Sequence, residues 1–199
     1  KAMCGLPVAY AAAKSGAKVF ERAPVQGYFY DAARQIYEIK VKMDGREAVF
    51  LARKLVNASG PWVDRVRECG GEKTEDLIVP VAGAHLELKQ FLGTSVILQA
   101  EDERLFFVIC HGGHCRVGTT ERMHKDPDHL DATEEEIAYL LRQVSRYFPS
   151  MNFTKADVLG TDAGIRPLAR QRKSKSAHEI SREHEIKISP SGVIHVLGV

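Results

Sequence analysis

Two residues in the chain have the chemistry expected of a site that binds an anion and accepts a proton. Arg166 stands between Gly164 and Pro167 in an apolar context, and a guanidinium presents a planar fork of donors that suits phosphate or carboxylate. His85 follows Gly83-Ala84, and its imidazole titrates in the range required of a base that accepts a hydroxyl proton. A structural arginine at a strand end and a satisfied core histidine are the alternatives that these residues leave open.

A third candidate is the segment Gly118-Thr119-Thr120-Glu121, which ends a predicted strand with two hydroxyls and a carboxylate. Thr119 and Thr120 could donate hydrogen bonds to a phosphate or to a carbonyl of a bound cofactor. Threonine is also common in strands for steric reasons, so a purely structural role is the alternative.

The turn Asn57-Ala58-Ser59-Gly60-Pro61 lies where an apolar run ends and an amphipathic segment begins. Gly60 has no Cβ, so the backbone can approach a ligand closely, and Pro61 suits the first position of a helix. The amides around Ser59 and Gly60 would then face the crevice beyond the carboxyl end of a strand, where open α/β sheets bind ligands.

The segment Cys110-His111-Gly112-Gly113-His114-Cys115 contains two cysteines and two histidines, which are the ligand types of zinc. Structural zinc sites usually draw their ligand pairs from separate turns, whereas one Gly-Gly hairpin would carry all four here. A surface hairpin without metal is the favoured interpretation, and a zinc site is the alternative.

The elements that must position these residues change in character along the chain. In the first part, an alanine-rich helix over 8–16 and a strand over 17–21 are typical of α/β structure. A hairpin is predicted over 36–51 around Asp44-Gly45, continuing into a strand that ends at Asn57. A helix over 61–68 should follow and end at Gly70-Gly71.

The second part reads as closely spaced strands that a helix must cover. A mainly antiparallel sheet is predicted from five runs, at 77–81, 84–89, 95–99, 105–110 and 116–119. Thr133 and Glu136 form a capping box for a helix whose apolar stripe ends at Pro149. A strand then leads from 157 to Arg166, and a final hairpin is predicted over 186–196.

Four ordered motifs, NASGPW, GAH, VGTT and AGIRPL, resemble those of the FAD-dependent glycerol-3-phosphate dehydrogenases over about residues 17–199. The resemblance implies FAD as cofactor, glycerol 3-phosphate as substrate, dihydroxyacetone phosphate as product and a membrane quinone as electron acceptor. It implies that cofactor contacts come from Ser59, Gly60, Pro61 and Gly198, and substrate contacts from Arg166, Thr119 and Thr120. His85 and Arg166 are the implied catalytic residues, with His85 as the base and a lysine beyond Val199 that competes with it or assists it. The family usually has Asp where this chain has Glu121.

The resemblance also predicts that the chain is an internal fragment, because no G-x-G-x-x-G dinucleotide fingerprint occurs in it. We expect 1–72 to belong to the FAD-binding domain, 73–165 to form the substrate-binding (capping) domain and 166–199 to return toward the FAD-binding domain. The expected class is α+β with an α/β-like first part, in which a mainly antiparallel, helix-covered sheet joins part of a FAD-binding domain. Alone, the chain should be colourless and inactive.

Composition excludes several classes of function. A formal net charge of +2 gives no argument for a nucleic-acid or acidic partner, and no apolar run reaches the roughly 18 residues of a membrane span. Four cysteines do not make a dense disulfide framework, so a reducing, cytoplasmic setting is expected. Peripheral contact with the inner face of the membrane would come only from parts outside this chain. The alternative functions are a related amine or hydroxy-acid oxidase and a non-catalytic interaction or metal-binding module.

Overall fold

The computed structural model describes residues 2–72, 75–170 and 183–198, with side chains described from Leu6 onward. Residues 73–74, at the predicted domain boundary, and 171–182, in the predicted return segment, lie outside the described residues. The chain forms two compact units. The first comprises Lys1–Leu55, Arg65–Lys73 and Pro190–Val193, and the second comprises Val56–Asp64, Thr74–Ser189 and Ile194–Val199.

Strands outnumber helices in the described residues, and the predicted α+β class is confirmed. The helices are α1 (Ala2–Lys14), α2 (Val63–Cys69) and α3 (Glu134–Tyr147), with short 3-10 turns at Gly60–Trp62, Pro149–Met151 and Lys155–Asp157. The strands are β1 (Val25–Asp31), β2 (Ile36–Met43), β3 (Arg46–Ala52), β4 (Val56–Asn57), β5 (Ile78–Lys89), β6 (Val96–Gln99), β7 (Leu105–His111), β8 (His114–Gly118), β9 (Arg122–Met123), β10 (Val158–Ala169), β11 (Glu185–Ile188) and β12 (Ile194–Leu197). None of these helices has the length and apolar character needed to cross a membrane.

The first unit contains the antiparallel sheet β1-β2-β3, and the predicted hairpin around Asp44-Gly45 is confirmed. Both turn residues have positive φ, 47° and 79°, as a two-residue hairpin turn of the primed type requires. The prediction of a strand over 17–21 was wrong. Val19 and Phe20 are about half exposed, and this stretch has no partner strand among the described residues to accept its backbone hydrogen bonds.

The strand predicted to run on to Asn57 is also corrected. β3 ends at Ala52, and after a break β4 pairs in a different sheet, with order β11-β12-β4. β4 and β12 are parallel, with Val56 opposite Ile194 and Asn57 opposite His195. The predicted final hairpin is confirmed by the antiparallel pairing of β11 with β12.

The second unit is built on a six-stranded sheet of order β10-β5-β8-β7-β6, with β9 also paired to β5. Every pairing in it is antiparallel, as predicted. The strands predicted at 77–81 and 84–89 form a single strand, because β5 passes through Gly83 without a break. The strand predicted to reach Arg166 is longer, because β10 continues to Ala169. The capping box is confirmed, since Glu136 N donates to Thr133 Oγ1 at 3.3 Å and Thr133 N donates to Glu136 Oε2 at 3.0 Å.

Alternation along the strands separates a covered face of this sheet from an open one. α3 packs against the covered face, where Leu86 and Leu88 form a buried core with Leu140 and Val144 of the helix. The residues between them on β5 are on the other face, because successive side chains of a strand point to opposite sides. We call this side, opposite α3, the open face, because it is partly exposed around His85 and Glu87. Its other end is buried, where Val79, Val81 and Leu168 form a small apolar cluster.

Candidate functional site

The open face brings together the two predicted catalytic residues. Directly opposed residues of antiparallel strands share a face, and His85 lies opposite Asp162 of β10 and Gly118 of β8. Arg166 lies opposite Val81, which is four residues from His85 along β5 and therefore on the same side. The register of β5 with β10 thus places an imidazole, a carboxylate and a guanidinium on one surface.

Arg166 is held by the loop that follows β8. Its Nη2 donates to Thr119 Oγ1 at 2.9 Å, and the Thr119 hydroxyl donates in turn to the Thr120 carbonyl at 3.1 Å. Pro167 restricts the backbone directly after the arginine. The structure therefore brings together Arg166 and Thr119, which were both predicted as substrate ligands, and one orients the other.

Thr120 occupies a different position from the one predicted for a substrate ligand. It is 4% exposed, and its hydroxyl accepts from Ala84 N at 2.8 Å and donates to Glu136 Oε1 at 2.5 Å. Both hydrogen-bonding roles of the hydroxyl are therefore used within the protein, where it joins β5 to α3. We revise its expected role from substrate contact to support of the sheet beside Arg166.

Glu136 receives several hydrogen bonds at this junction. Burial works to raise the pKa of its carboxyl, but hydrogen bonds from the Thr120 hydroxyl, the Thr133 amide and the Arg122 guanidinium outweigh it, so the pKa lies below its ordinary value of 4.5. The Arg122 contact measures 3.0 Å between Nε and Oε2. The carboxylate thus stays charged inside the structure and ties the start of α3 to the sheet.

His85 has a carboxylate neighbour that sequence reasoning missed. Its Nδ1 lies 3.6 Å from Asp162 Oδ1, and Asp162 Oδ2 forms a close ion pair with Arg116 Nη2. Arg116 also approaches Glu87, with 3.9 Å between Nη1 and Oε1. A carboxylate beside an imidazole can orient the ring and stabilise the imidazolium that forms when the ring accepts a proton. Only the strand register reveals this pair, because no local pattern links Asp162 to His85.

Two glycines within strands make room for these side chains. A Cβ built on Gly83 would lie 2.9 Å from Arg166 Nη1 and closer still to Thr119 Oγ1. A Cβ on Gly118 would lie 2.9 Å from Cγ of His85 and closer still to the Cδ2 atom of the ring. A glycine in a strand interior signals such a close approach, so the glycines of the GAH and VGTT motifs were a usable sequence signal.

The turn predicted to face a cofactor leads from β4 into α2. Gly60 has a φ of 57° and begins the 3-10 turn in which Pro61 occupies an early position. One part of the prediction is corrected, since Ser59 N donates to Asn57 Oδ1 at 3.3 Å and is directed back into the protein. The Ser59 hydroxyl also donates to this oxygen, at 2.6 Å.

Gly198 lies between the strand that carries this turn and the residue that follows Arg166. It follows β12, the parallel neighbour of β4, so Gly198 and Ser59 come after the carboxyl ends of adjacent parallel strands. Gly198 N donates to the Pro167 carbonyl at 3.2 Å, directly beside Arg166. All of these residues belong to the second unit. The predicted cofactor residues and the open face therefore converge near Pro167.

The hairpin with two cysteines and two histidines does not assemble a metal site. Cys110 lies opposite Cys115 and His111 opposite His114, so the pleat directs the two pairs to opposite faces. A disulfide joins Cys110 to Cys115, and Cys115 is fully buried in the core beneath α3. Among the described residues, no group of three or more potential metal ligands is found. The predicted hairpin itself is confirmed.

Comparison with known proteins agrees with the motifs. The chain is 32% identical over 194 residues to the aerobic glycerol-3-phosphate dehydrogenase of Staphylococcus epidermidis, covering 94% of this chain and 35% of that protein. The corresponding enzyme of Bacillus subtilis is 33% identical over 192 residues, covering 94% of this chain and 34% of that protein. The chain thus spans about a third of the length of the curated relatives that it matches.

Solved structures show the same similarity. The glycerol-3-phosphate dehydrogenase from Bacillus halodurans, solved in complex with FAD, matches with a TM-score of 0.79 and 30% identity over 92% of this chain and 36% of that one. The L-proline dehydrogenase from P. horikoshii shares the fold, with a TM-score of 0.66 and 20% identity over 96% of this chain. The profile of the family described as "FAD dependent oxidoreductase" matches residues 6–199. The chain therefore belongs to the FAD dependent oxidoreductase family.

Proposed function

We propose that this chain is part of an FAD-dependent sn-glycerol-3-phosphate dehydrogenase that oxidises glycerol 3-phosphate to dihydroxyacetone phosphate. The observation that carries the proposal is the arrangement of Arg166, oriented by Thr119, on the same open face as the His85–Asp162 pair. The relatives named glycerol-3-phosphate dehydrogenase support this substrate over an amine or a hydroxy acid. Transfer of the electrons to a membrane quinone, at the inner face of the membrane, is part of the same proposal.

The domain assignment also belongs to the proposal. Residues 1–72 would form part of the FAD-binding domain, 73–165 the substrate-binding domain and 166–199 the segment that returns to the FAD-binding domain. The convergence of the Ser59–Gly60 turn, Gly198 and Pro167 supports the idea that the return segment and the turn serve one crevice.

The residues present fit a bound flavin at this edge. A Cβ built on Gly60 meets no atom within 4 Å, so this glycine faces open space beyond the end of β4. Ser59 and Pro61 would line the same crevice. Gly198 would contribute only backbone, because a Cβ there would lie 2.6 Å from the Glu183 carbonyl oxygen. FAD, when bound, supplies the acceptor for the hydride that leaves the carbinol carbon of the substrate.

Arg166 would bind the phosphate, which does no chemistry itself and can therefore be used to orient the carbinol group. The Thr119 hydroxyl keeps the guanidinium in place before substrate arrives, which lowers the cost of ordering it. His85 would accept the hydroxyl proton as the carbon–hydrogen bond breaks, leaving the ketone. Asp162, fixed by Arg116, would orient the ring and stabilise the imidazolium.

A substrate panel tests the proposal in the full-length, FAD-loaded protein that carries this chain. We expect glycerol 3-phosphate to reduce the bound flavin under anaerobic conditions, and glycerol, with no phosphate, to react far more slowly. Inorganic phosphate should compete with glycerol 3-phosphate in the wild type and much less in Arg166→Ala. Faster flavin reduction by an amino acid or a hydroxy acid would support the related oxidase instead.

A further inference from the structure

We propose that His195 is a positioning residue for the cofactor turn, defined as residues 57–61, and that it acts through Asn57 as a neutral ring with its proton on Nε2. The proposal rests on the proposed function of this turn in binding FAD. His195 lies on β12 directly opposite Asn57 of β4, and the two side chains are 1% and 4% exposed. Both side chains are therefore shielded from bulk water, and the hydrogen bond to Asn57 is the described contact by which His195 reaches the turn.

The Asn57 amide makes four hydrogen bonds, which reach Ser59 within the turn, Val63 just beyond it and His195 on β12. Its Nδ2 donates to the Val63 carbonyl at 2.9 Å and lies 3.2 Å from His195 Nδ1. Its Oδ1 accepts from the Ser59 amide at 3.3 Å and from the Ser59 hydroxyl at 2.6 Å. Asn57 thus connects the residue before Gly60 with the first residue of α2.

Two of these four partners determine the orientation of the amide. The Val63 carbonyl can only accept and the Ser59 N–H can only donate, so a rotated amide would set oxygen against oxygen and donor against donor. Nδ2 must therefore face His195, and His195 Nδ1 must accept. A histidine ring that accepts at Nδ1 is neutral and carries its proton on Nε2.

This requirement explains a histidine at a buried position that packing alone would fill with an apolar residue. Leu197, two residues along β12 and on the same face as His195, belongs to one buried apolar cluster with Val63, whose carbonyl accepts from Asn57. An apolar side chain at 195 would leave one Asn57 donor without its acceptor in the interior, which costs free energy. The amide would keep its bonds to Val63 and Ser59, but the buried unpaired donor would destabilise the arrangement that holds the turn.

The experiment compares two replacements of His195 in the full-length, FAD-loaded protein. His195→Asn places an amide oxygen close to the position of Nδ1 and retains an acceptor, whereas His195→Leu fills similar space without one. We expect His195→Leu to raise the dissociation constant for FAD about 5- to 50-fold and His195→Asn to restore most of the affinity. Leu140→Ala, in the core beneath α3, is the control for a general loss of stability, followed by the unfolding temperature of each apoprotein.

Three results would overturn the proposal: unchanged FAD affinity in His195→Leu, no recovery in His195→Asn, or an equal loss in Leu140→Ala at equal unfolding temperature. NMR of protein with ¹⁵N-labelled histidine tests the contact without any cofactor readout. We expect the Nδ1 nitrogen of His195 to be unprotonated and Nε2 to carry the proton, and the opposite tautomer would contradict the Asn57 contact.

A second variant separates this inference from the proposed function. Gly60→Val should weaken FAD binding if the turn holds the cofactor, because a branched side chain strains the backbone at a φ of 57° and would also enter the space that this glycine faces. If Gly60→Val binds FAD normally, the cofactor role of the turn fails, and the role of His195 toward FAD fails with it. If Gly60→Val loses FAD while His195→Leu does not, the proposed function stands and the positioning role of His195 is wrong.

Discussion

The Arg166 guanidinium and the Thr119 hydroxyl are joined by a 2.9 Å hydrogen bond between Nη2 and Oγ1. The orientation of the guanidinium therefore depends both on β10, which carries Arg166, and on the loop after β8, which carries Thr119. A guanidinium on an open sheet face without such a partner would sample many rotamers, and fixing it would cost free energy when an anion binds. The bond therefore prepares Arg166 for a phosphate before the substrate arrives.

Replacing Arg166 by alanine should cost about 2–5 kcal/mol in kcat/KM for glycerol 3-phosphate, because the phosphate loses its paired charge in a partly desolvated site. Arg166→Lys should recover only part of this, since an ammonium keeps the charge without the planar fork. Steady-state kinetics of the FAD-loaded protein measure both. The control is Arg170→Ala, because Arg170 is exposed and bonds to Asp76. Unchanged efficiency and affinity in Arg166→Ala would make the arginine structural.

His85→Gln should lower kcat and change its pH dependence with little change in substrate affinity, because a base acts on the reacting proton. Asp162→Asn should reproduce part of this loss, since the ring would lose the carboxylate that lies 3.6 Å from Nδ1. Glu103→Gln provides a control at an exposed carboxylate in the turn before β7. A pH–rate profile of His85→Gln that superimposes on the wild type would remove the residue from proton transfer.

Gly118→Ala should destabilise the protein by about 1–3 kcal/mol and displace the His85 ring, because the added Cβ would lie 2.9 Å from Cγ of the ring and closer still to its Cδ2 atom. Gly160→Ala is the matched control on β10, where a Cβ meets no atom within 4 Å. Urea denaturation measures the stability of both variants, and kcat should fall only in Gly118→Ala. Equal behaviour of the two variants would show that the space beside His85 is not restricted.

Glu136→Gln should remove a part of the stability that depends on pH. Because the pKa of Glu136 in the folded protein lies below its ordinary value of 4.5, ionisation stabilises the fold fully above pH 4.5. That contribution is lost as the pH falls below 4.5 and through the lower folded pKa. The difference in free energy of unfolding between wild type and Glu136→Gln should therefore shrink in that range.

Urea denaturation at a series of pH values measures this difference. Glu134→Gln is the control on the same helix, since its carboxylate is exposed and pairs with Lys155 at 2.6 Å. A constant difference between wild type and Glu136→Gln from neutral to acidic pH would contradict the low pKa of Glu136.

Local chemistry explains which features the sequence by itself determined. The Asp44-Gly45 turn, the Thr133–Glu136 capping box and the β11–β12 hairpin depend on residues close together in the chain, and each formed as predicted. Gly83 and Gly118, the glycines of the GAH and VGTT motifs, were also informative from sequence alone, because a glycine in a strand indicates that another group lies close to the backbone there. His85 and Arg166 were identifiable because their side-chain chemistry is distinctive.

The tertiary structure alone decided which residues became neighbours. His85 meets Asp162 through the register of β5 with β10, and Asn57 meets His195 through a parallel pairing across 138 residues, neither of which a local pattern encodes. The pleat of the Cys110–Cys115 hairpin places its cysteines on one face of the sheet and its histidines on the other, so the four side chains cannot surround one metal ion. Strand pairing over long separations depends on total packing and on hydrogen bonding between distant segments, so the sequence supplies the groups while the fold selects their partners.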